Sequence, residues 1–397
     1  MKKRSSAVAI VILCLALVIG VACGGGETTR EVKEVKFGFA APLSGILGAM
    51  VGFPAEQGIE LASEMIGEFT VAGERYRWNV ICQDNGYTSA GGVASATEFI
   101  FQDGVKFMHQ TGSDAALGAQ PLCEETGVML SISGAGVEAF GLDKPHTFQF
   151  SPTYMAHTPV LFQWLTTTHP EVETMAIAMG NDRTGYEIAE AAVTAAEYFG
   201  LEVATVAYYD TAAMMEFYPL ATKLVNKNPD LFIGNPLTLA SMRELGWDGL
   251  AAFHGWNTPT AVLAGWDNVE GLLVYQPNPF GEELPLEVKD FAAEYQARYD
   301  EEFTMSSYYP ATMLYVLTEA LKQAGTVDDV DRVIEVLETE TFGTWIVPLR
   351  FGGQELVGVN HLLMWPAPIA EIEDRDYHVI YEMSADEAET LAVEVYK

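Results

Sequence analysis

The chain has 397 residues, with 21 lysines and arginines against 55 aspartates and glutamates, so its formal charge is −34. Hydrophobic residues make up 49% of it, an apolar content that excludes a disordered chain. The acidic balance excludes a nucleic-acid-binding protein, which needs a basic face to meet phosphates. The length favours two lobes, and four cysteines are too few for a disulfide scaffold.

The N-terminus has the pattern of an export signal. Three cations at residues 2–4 precede an uncharged apolar run over residues 7–22, which is shorter than the roughly 20 residues of a membrane-spanning helix. The run ends at Cys23, followed by three glycines. This junction resembles a bacterial lipobox, with Gly20 in place of the usual leucine.

We therefore expect a lipoprotein signal peptide over residues 1–22, lipidation of Cys23 and a flexible tether over residues 23–30. An ordinary signal peptide with an incidental cysteine, or an uncleaved anchor, remain as alternatives. The expected location is exported, periplasmic or at the cell surface, and attached to the membrane through the lipid anchor only.

The body of the chain alternates between strand and helix patterns, with strands of four to six apolar residues. Such alternation over two stretches predicts an α/β fold with two doubly wound parallel sheets. In chain order the predicted strands are 36–41, 78–81, 105–109 and 128–132, then 175–179, 203–208, 231–234, 251–255 and 271–275. Helical patterns at 285–299, 310–324 and 327–338 follow, and then strands at 345–351 and 357–365.

Catalytic motifs are absent from the sequence. The seven histidines form no HExxH pair, and neither G-x-S-x-G nor a P-loop nor a G-x-G-x-x-G after a strand occurs. We therefore expect no enzyme, no metal and no cofactor. A hydrolase that uses surface carboxylates is disfavoured for the same reason.

Small and polar residues follow three strands of the first stretch, at 42–45, 111–113 and 133–136. The carboxyl ends of parallel strands form the edge where ligands bind in open α/β sheets. Backbone N–H groups there can hold an anion with the help of the next helix. Any one of the three alone is better explained as a tight turn, but three on one edge favour a binding site.

The segments 37–45, 58–62, 112–117 and 133–135 resemble those of type I periplasmic solute-binding proteins of ABC transporters, in the leucine/isoleucine/valine-binding branch. The likeness extends over the whole mature chain. It implies two α/β lobes joined by three crossovers, here near Phe150, Pro277 and Phe342. The first lobe would hold 31–150 and 277–342, and the second 151–276 and 343–397.

The resemblance also implies site residues. Ser113 matches the serine whose hydroxyl binds the ligand carboxylate, and Ala135 and Gly136 match a pair that offers a backbone carbonyl and a backbone N–H. Gly136 lacks the threonine hydroxyl that is usual there. Thr184 stands where tyrosine is common, and Asn257 where amino-acid binders have a glutamate against the ammonium, unless it is a misaligned loop residue.

Aromatic residues are expected around the same cleft, where each alone is better explained by core or interlobe packing. They are Tyr154, Tyr186, Trp256, Tyr308 and Tyr309. Of these, Tyr154 and Trp256 are taken as ligand-binding. Because Asn257 offers no charge to an ammonium, we expect the ligand to be a small carboxylate or amide, in which a free ammonium matters less. The alternative is that another carboxylate, such as Glu60 or Asp84, replaces the missing one.

The resemblance implies a binding protein that delivers a small solute to an ABC permease. The ligand-sensing domain of a signalling system shares this fold and is the alternative. It is disfavoured because no transmembrane or effector segment follows residue 397.

Cys82 and Cys123 are the cysteines of the body. Either they form a disulfide within the first lobe or they are two buried thiols. Cys82 is expected at the end of a strand and Cys123 inside a helix. This placement does not ensure the geometry that a disulfide requires, so the thiols are favoured.

Overall fold

The fold is known from a computed structural model, which describes residues 31–134, 136–210, 216–281 and 284–397. The predicted signal peptide, Cys23 and Ala135 lie outside the described residues. Within them the strands are β1 Lys33–Ala41, β2 Phe69–Val71, β3 Glu74–Asp84, β4 Phe107–Thr111, β5 Met129–Ser133, β6 Thr147–Gln149, β7 Thr174–Gly180, β8 Glu202–Tyr209, β9 Leu231–Gly234, β10 Leu250–Phe253, β11 Leu272–Val274, β12 Thr341–Phe342, β13 Leu349–Gly352, β14 Leu362–Met364, β15 Ala367–Glu373 and β16 Asp376–Met383.

Helices connect most of these strands. They are α1 Gly45–Leu47, α2 Phe53–Ile66, α3 Ser89–Glu98, α4 Ser113–Thr126, α5 Tyr154–Thr168, α6 Arg183–Phe199, α7 Tyr218–Val225, α8 Pro236–Glu244, α9 Thr258–Ala264, α10 Trp266–Val269, α11 Leu286–Tyr299, α12 Met305–Ala324, α13 Val330–Thr339, α14 Gln354–Val357 and α15 Ala385–Tyr396. Short π turns at Gly48–Gly52 and Phe99–Asp103 and a 3₁₀ turn at Val137–Ala139 complete the set. In the described part of the chain, no helix combines the length and the hydropathy that crossing a membrane requires.

Two sheets organise the molecule. The first has the strand order β12-β13-β14-β6-β5-β4-β1-β3-β2, and the second β16-β15-β11-β10-β9-β7-β8. Strands β3, β1, β4, β5, β6 and β14 run parallel to one another, as do β8, β7, β9, β10 and β11. The predicted α/β fold with two parallel-dominated sheets is confirmed.

The central strands are apolar along nearly their whole length because helices cover both faces of each sheet. Strand β7 is buried from Met175 to Gly180, and all four residues of β9 are buried. Each lobe therefore has its own hydrophobic core, and the loops at the strand ends are left free to meet between the lobes.

The chain passes between the two sheets three times. It leaves the first sheet after β6, returns after β11 and leaves again between β14 and β15. The last passage lies at Trp365 and Pro366, so the prediction of a third crossover near Phe342 is wrong. Residues 343–364, assigned to the second lobe from the sequence, contribute β13 and β14 to the first sheet.

Aromatic packing explains this placement. Phe351 on β13 contacts Phe148 and Phe150 at ring-centroid distances of 5.3 and 5.0 Å. Trp345 stacks on Tyr315 at 4.7 Å, within the first core. Strands β13 and β14 thereby cover the edge that β6 would otherwise expose.

Local signals explain two differences in element bounds. Helix α12 begins at Met305 rather than at Pro310, because Thr304 and Ser307 form a reciprocal capping box. The strand predicted over 357–365 begins only at Leu362. The preceding helix α14 ends at Gly358, which has a φ of +85°.

Cys82 and Cys123 are both free thiols. Cys123 is buried in α4, with its sulfur 3.4 Å from the sulfur of Met108. Cys82 lies on β3, where burial and then the nearby carboxylates of Glu56 and Glu60 raise the pKa of its thiol. The preference for two thiols over a disulfide is confirmed.

We expect alkylation of the unfolded mature protein without reductant to label both body cysteines. In the folded protein the labelling should be slow, because burial raises both thiol pKa values and the thiolate is the reactive form. Intact mass after labelling measures the count. A count that rises by two after reduction would contradict the free thiols.

Candidate functional site

The first lobe contributes Ser113, the first residue of α4, directly after β4 and Gly112. Gly112 has a φ of +95°, and a Cβ atom placed on it would lie 2.5 Å from the ring of Tyr87. Glycine is therefore required here for two reasons: it adopts this backbone conformation without strain, and it leaves room for the aromatic ring. The result is a fully buried serine hydroxyl at the carboxyl edge of the first sheet.

Tyr87 is itself held in an uncommon conformation, with a φ of +57°. Its backbone N–H donates to Oδ1 of Asn85 at 3.0 Å, while the Asn85 amide donates to Gln110 Oε1 at 3.1 Å and to the Thr111 carbonyl at 3.0 Å. The buried asparagine thus anchors a strained residue to the end of β4. Strain of this kind is characteristic of functional loops.

The second lobe contributes the start of α6, directly after β7. Asp182 caps the helix by accepting a hydrogen bond from the Gly185 N–H at 2.8 Å. A Cβ atom on Gly185 would lie 2.0 Å from the carbonyl oxygen of Gly180, so only glycine lets the helix pack this tightly on the strand end. This packing presents Thr184 and Glu187 to the first lobe.

The two lobes meet at the Ser113 hydroxyl. Its Oγ lies 2.9 Å from Thr184 Oγ1 and 3.1 Å from Glu187 Oε2, both in the second lobe, and it donates to the Gly134 carbonyl at 2.6 Å. The Tyr87 hydroxyl lies 3.2 Å from Thr184 Oγ1. We call Tyr87, Ser113, Thr184 and Glu187 the interlobe junction.

Glu187 is the one buried acidic side chain among the described residues, at 6% exposure. Burial raises its pKa to about 7, although the Gly136 N–H, the Ser113 hydroxyl and Arg183 each act to lower it. Its Oε1 atom is buried without a hydrogen-bond partner. A buried acceptor of this kind costs stability unless something donates to it.

The proton count at Ser113 supports a protonated Glu187. The serine hydroxyl has one hydrogen, yet both the Gly134 carbonyl and Glu187 Oε2 lie within bonding distance. Both contacts are satisfied together when the serine donates to Gly134 and a Glu187 carboxyl O–H donates to the serine. A proton on Glu187 thus satisfies the contact between its Oε2 atom and the Ser113 hydroxyl.

Arg183 links the lobes beside this carboxyl group. It forms an ion pair with Glu138 of the first lobe, and its Nε lies 3.3 Å from Glu187 Oε1. A Cβ atom on Gly136 would lie 2.4 Å from a Glu138 carboxylate oxygen and 3.2 Å from the Arg183 guanidinium. The ion pair therefore occupies the space of the threonine side chain that Gly136 lacks.

Aromatic residues border the junction on one side. The Tyr154 ring lies 3.5 Å from the position of a Cβ on Gly134, and packs edge-to-face on His254 at 5.4 Å. Burial lowers the pKa of His254 to about 4, so its imidazole is neutral at pH 7. Its buried Nδ1 has no hydrogen-bond partner.

The structure brings four of the predicted site residues together and separates two. Ser113 and Thr184 belong to the junction, and Gly136 and Tyr154 lie beside it. Asn257 instead caps α9, accepting from the Thr260 N–H at 2.8 Å. Trp256 is buried in the second core, with its ring 5.9 Å from that of Trp266.

The remaining predicted aromatic residues have packing roles. Tyr186 is 39% exposed and pairs with Tyr208. Tyr308 is in the first core, 5.6 Å from Trp365. Tyr309 donates to the Pro277 carbonyl at 2.6 Å, at the second crossover.

Four participants are missing from the sequence-based site: Tyr87, Glu138, Arg183 and Glu187. One signal points to Glu187: it lies on the face of α6 that also carries Ile188, Ala191 and Ala192. A carboxylate among buried apolar positions is unusual unless it is paired. The proposed substitutes for the missing carboxylate, Glu60 and Asp84, do not enter the junction; Asp84 accepts from the Leu43 N–H at 2.9 Å.

One group in the described residues has the composition of a metal site. Ligand atoms of Glu56, Glu60 and Cys82 lie within 4.8 Å of one another. Because the pKa of the Cys82 thiol is raised, the group lacks the thiolate that binds metals. We assign no ion to it.

A family model described as "Periplasmic binding protein" matches residues 34–376. The chain belongs to the periplasmic binding protein family. The match spans both lobes and all three crossovers, which agrees with the resemblance seen in the sequence. No curated protein sequence matches the chain.

Solved structures of this fold resemble the chain over 89% of its length. A leucine-binding protein from Thermotoga maritima is 17% identical, with 99% of its own chain covered and a TM-score of 0.73. A solute-binding protein of an ABC transporter from Rhodopseudomonas palustris, in complex with 3,4-dihydroxybenzoic acid, is 17% identical, with 98% covered and a TM-score of 0.75. At this identity the likeness shows the fold.

Replacing Arg183 by glutamine should favour separation of the lobes, since it removes the ion pair to Glu138. Both partners are partly exposed, at 32% and 43%, so the pair contributes about 0.2–1 kcal/mol and the open fraction should rise by up to about fivefold. Small-angle scattering of the unliganded protein measures the change. Arg332→Gln, which breaks a surface pair with Glu335 on α13, is the matched control and should leave the scattering curve unchanged.

Glu187 should make the protein less stable as the pH rises from about 4.5 to about 7. The folded state holds this proton up to a pKa of about 7, against 4.5 for the ordinary group, so the unfolded chain releases it first. The loss is at most about 3 kcal/mol. The charged and titratable groups near the Glu187 carboxyl group are Arg183, Glu138, Asp182 and the neighbouring tyrosines.

Urea unfolding at pH 5 and pH 7.5 measures this contribution as the difference between wild type and Glu187→Gln. The variant should lose less stability over this interval, since its amide does not titrate. Equal losses in both proteins would show that Glu187 keeps its ordinary pKa.

Proposed function

We propose that this protein is an exported solute-binding protein that takes up a small molecule between its two lobes and delivers it to an ABC permease. The interlobe junction supports this function. Hydroxyl and carboxyl groups from both lobes converge on Ser113, at the carboxyl ends of β4 and β7. In open α/β sheets this edge is the usual place for a ligand.

The chemistry of the junction suits binding without reaction. Its groups are hydroxyls and a carboxyl group, with the Arg183 guanidinium beside them. They contact one another across the lobes and do not form a nucleophile oriented by a base. Relatives are named for transport: the Rhodopseudomonas palustris proteins are solute-binding proteins of ABC transporters. We extend that role, with an ABC permease as partner, to this chain.

The lobes provide the mechanism of capture. A hinge of three crossovers lets two rigid lobes close around a solute, which is then released when the lobes separate. Hydroxyls at the junction exchange their mutual contacts for contacts with the solute. The permease then recognises the closed form that holds the solute.

Native mass spectrometry of the mature protein, after incubation with a bacterial metabolite extract and desalting, tests the function directly. We expect one small molecule bound per chain, and compaction in small-angle scattering upon its addition. Ser113→Ala should weaken binding by roughly tenfold or more, since it removes a hydrogen bond at the meeting point of the lobes. Thr126→Ala, which removes a hydroxyl at the far end of α4, is the control. Retention of no molecule would contradict the proposal.

Anchoring through Cys23 completes the proposal. Cys23→Ser should move the protein from the membrane to the soluble fraction in an expressing bacterium, because stable attachment requires acyl chains on this residue. Fractionation with detection by antibody measures the distribution. Wild-type protein that is fully soluble and cleaved elsewhere would contradict the anchor.

A further inference from the structure

The carboxyl group of Glu187 lies where the resemblance places the carboxylate of a ligand. The expected cradle consists of the Ser113 hydroxyl and the Gly136 N–H. Glu187 Oε2 lies 3.1 Å from the Ser113 Oγ, and the Gly136 N–H is close enough to lower its pKa. A side chain of the protein thus has the contacts that a bound carboxylate would have.

A second carboxylate has no favourable place beside it. The carboxyl groups of Glu187 and Glu138 both contact a single guanidinium, that of Arg183, which is already ion-paired with Glu138. Asp182 accepts the capping hydrogen bond of α6. An anionic ligand group here would be removed from water without a compensating charge, because this guanidinium is already paired.

The Glu187 Oε1 atom indicates which group the site can take. It is buried, and its 3.3 Å contact with the Arg183 Nε lacks hydrogen-bond geometry, while the proton count at Ser113 places a proton on the same carboxyl group. A donor from outside satisfies Oε1, and a positive charge on that donor compensates the carboxylate once the proton has left. A protonated amine does both, and a charge-assisted bond is stronger than a neutral one.

We infer that the site takes a solute that presents an amine, and not a carboxylate, to Glu187. The inference rests on the proposed function and narrows its ligand class. It reverses the expectation of a carboxylate ligand, because a carboxyl group of the protein itself lies at Ser113. The amine replaces the proton of Glu187, and that proton leaves to solvent, so the charge of the junction is conserved.

Calorimetry with matched probes tests the inference on the mature protein. One set shares the leucine skeleton: 3-methylbutylamine, leucine and 4-methylpentanoate. A second set has an aromatic body: benzylamine and benzoate. We expect the amine of at least one set to bind, leucine to bind more weakly than its amine, and neither carboxylate to bind. Because a proton is exchanged, amine affinity should rise with pH up to about 7.

Two variants separate the role of Glu187 from general damage. Glu187→Gln should weaken amine binding by roughly tenfold or more, whereas Glu190→Gln, an exposed residue on the same helix, should not change it. Glu187→Ala should gain affinity for 4-methylpentanoate or benzoate, because Ser113 and the Gly136 N–H become free. A gain of binding cannot result from misfolding.

The inference is overturned if neither amine binds the wild-type protein, or if a carboxylate binds it and Glu187→Ala brings no gain. A carboxylate recovered from the metabolite extract would also overturn the inference while leaving the proposed function intact. Failure of the function itself has a different signature, the absence of any retained solute in that extract experiment.

Discussion

The structure of the site depends on the burial of one carboxyl group at the contact of two lobes. A charge removed from water must be paired or neutralised, and Glu187 is placed between a serine hydroxyl of the opposite lobe and an arginine of its own helix. Because contact of the lobes buries this carboxyl group, a proton or an added cation on it favours the closed arrangement. The state of one side chain is thereby coupled to the relative position of two rigid bodies.

The surrounding backbone makes this contact possible. Gly112 lets α4 begin under the Tyr87 ring, and Gly185 lets α6 begin against the end of β7, so both helices direct their first turns at the same point. Gly136 leaves room for the Glu138–Arg183 pair. A larger residue at any of the three would push a helix or an ion pair away from the junction. The polar contacts of the junction therefore depend on these three glycines.

Part of this site could be predicted from the sequence and part could not. Ser113 and Thr184 follow strands at the carboxyl edges of the sheets, and that location is implied by the alternation of strands and helices. Asn257 also follows a strand, β10, but its amide caps the next helix, because the first turn of α9 offers an N–H at hydrogen-bonding distance. Glu187 could not be singled out among 55 acidic residues, because its burial depends on the approach of the other lobe.

The sequence by itself determined the fold class, the alternation of elements and the edge at which the site lies, because hydrophobic periodicity and turn residues are local properties. Tertiary structure alone decided the third crossover, where Phe351 of β13 packs on Phe148 of β6, and which acidic residue faces Ser113. Both are contacts between residues far apart in the chain. Their free energy comes from burial and charge in the assembled lobes, which no local pattern of residues encodes.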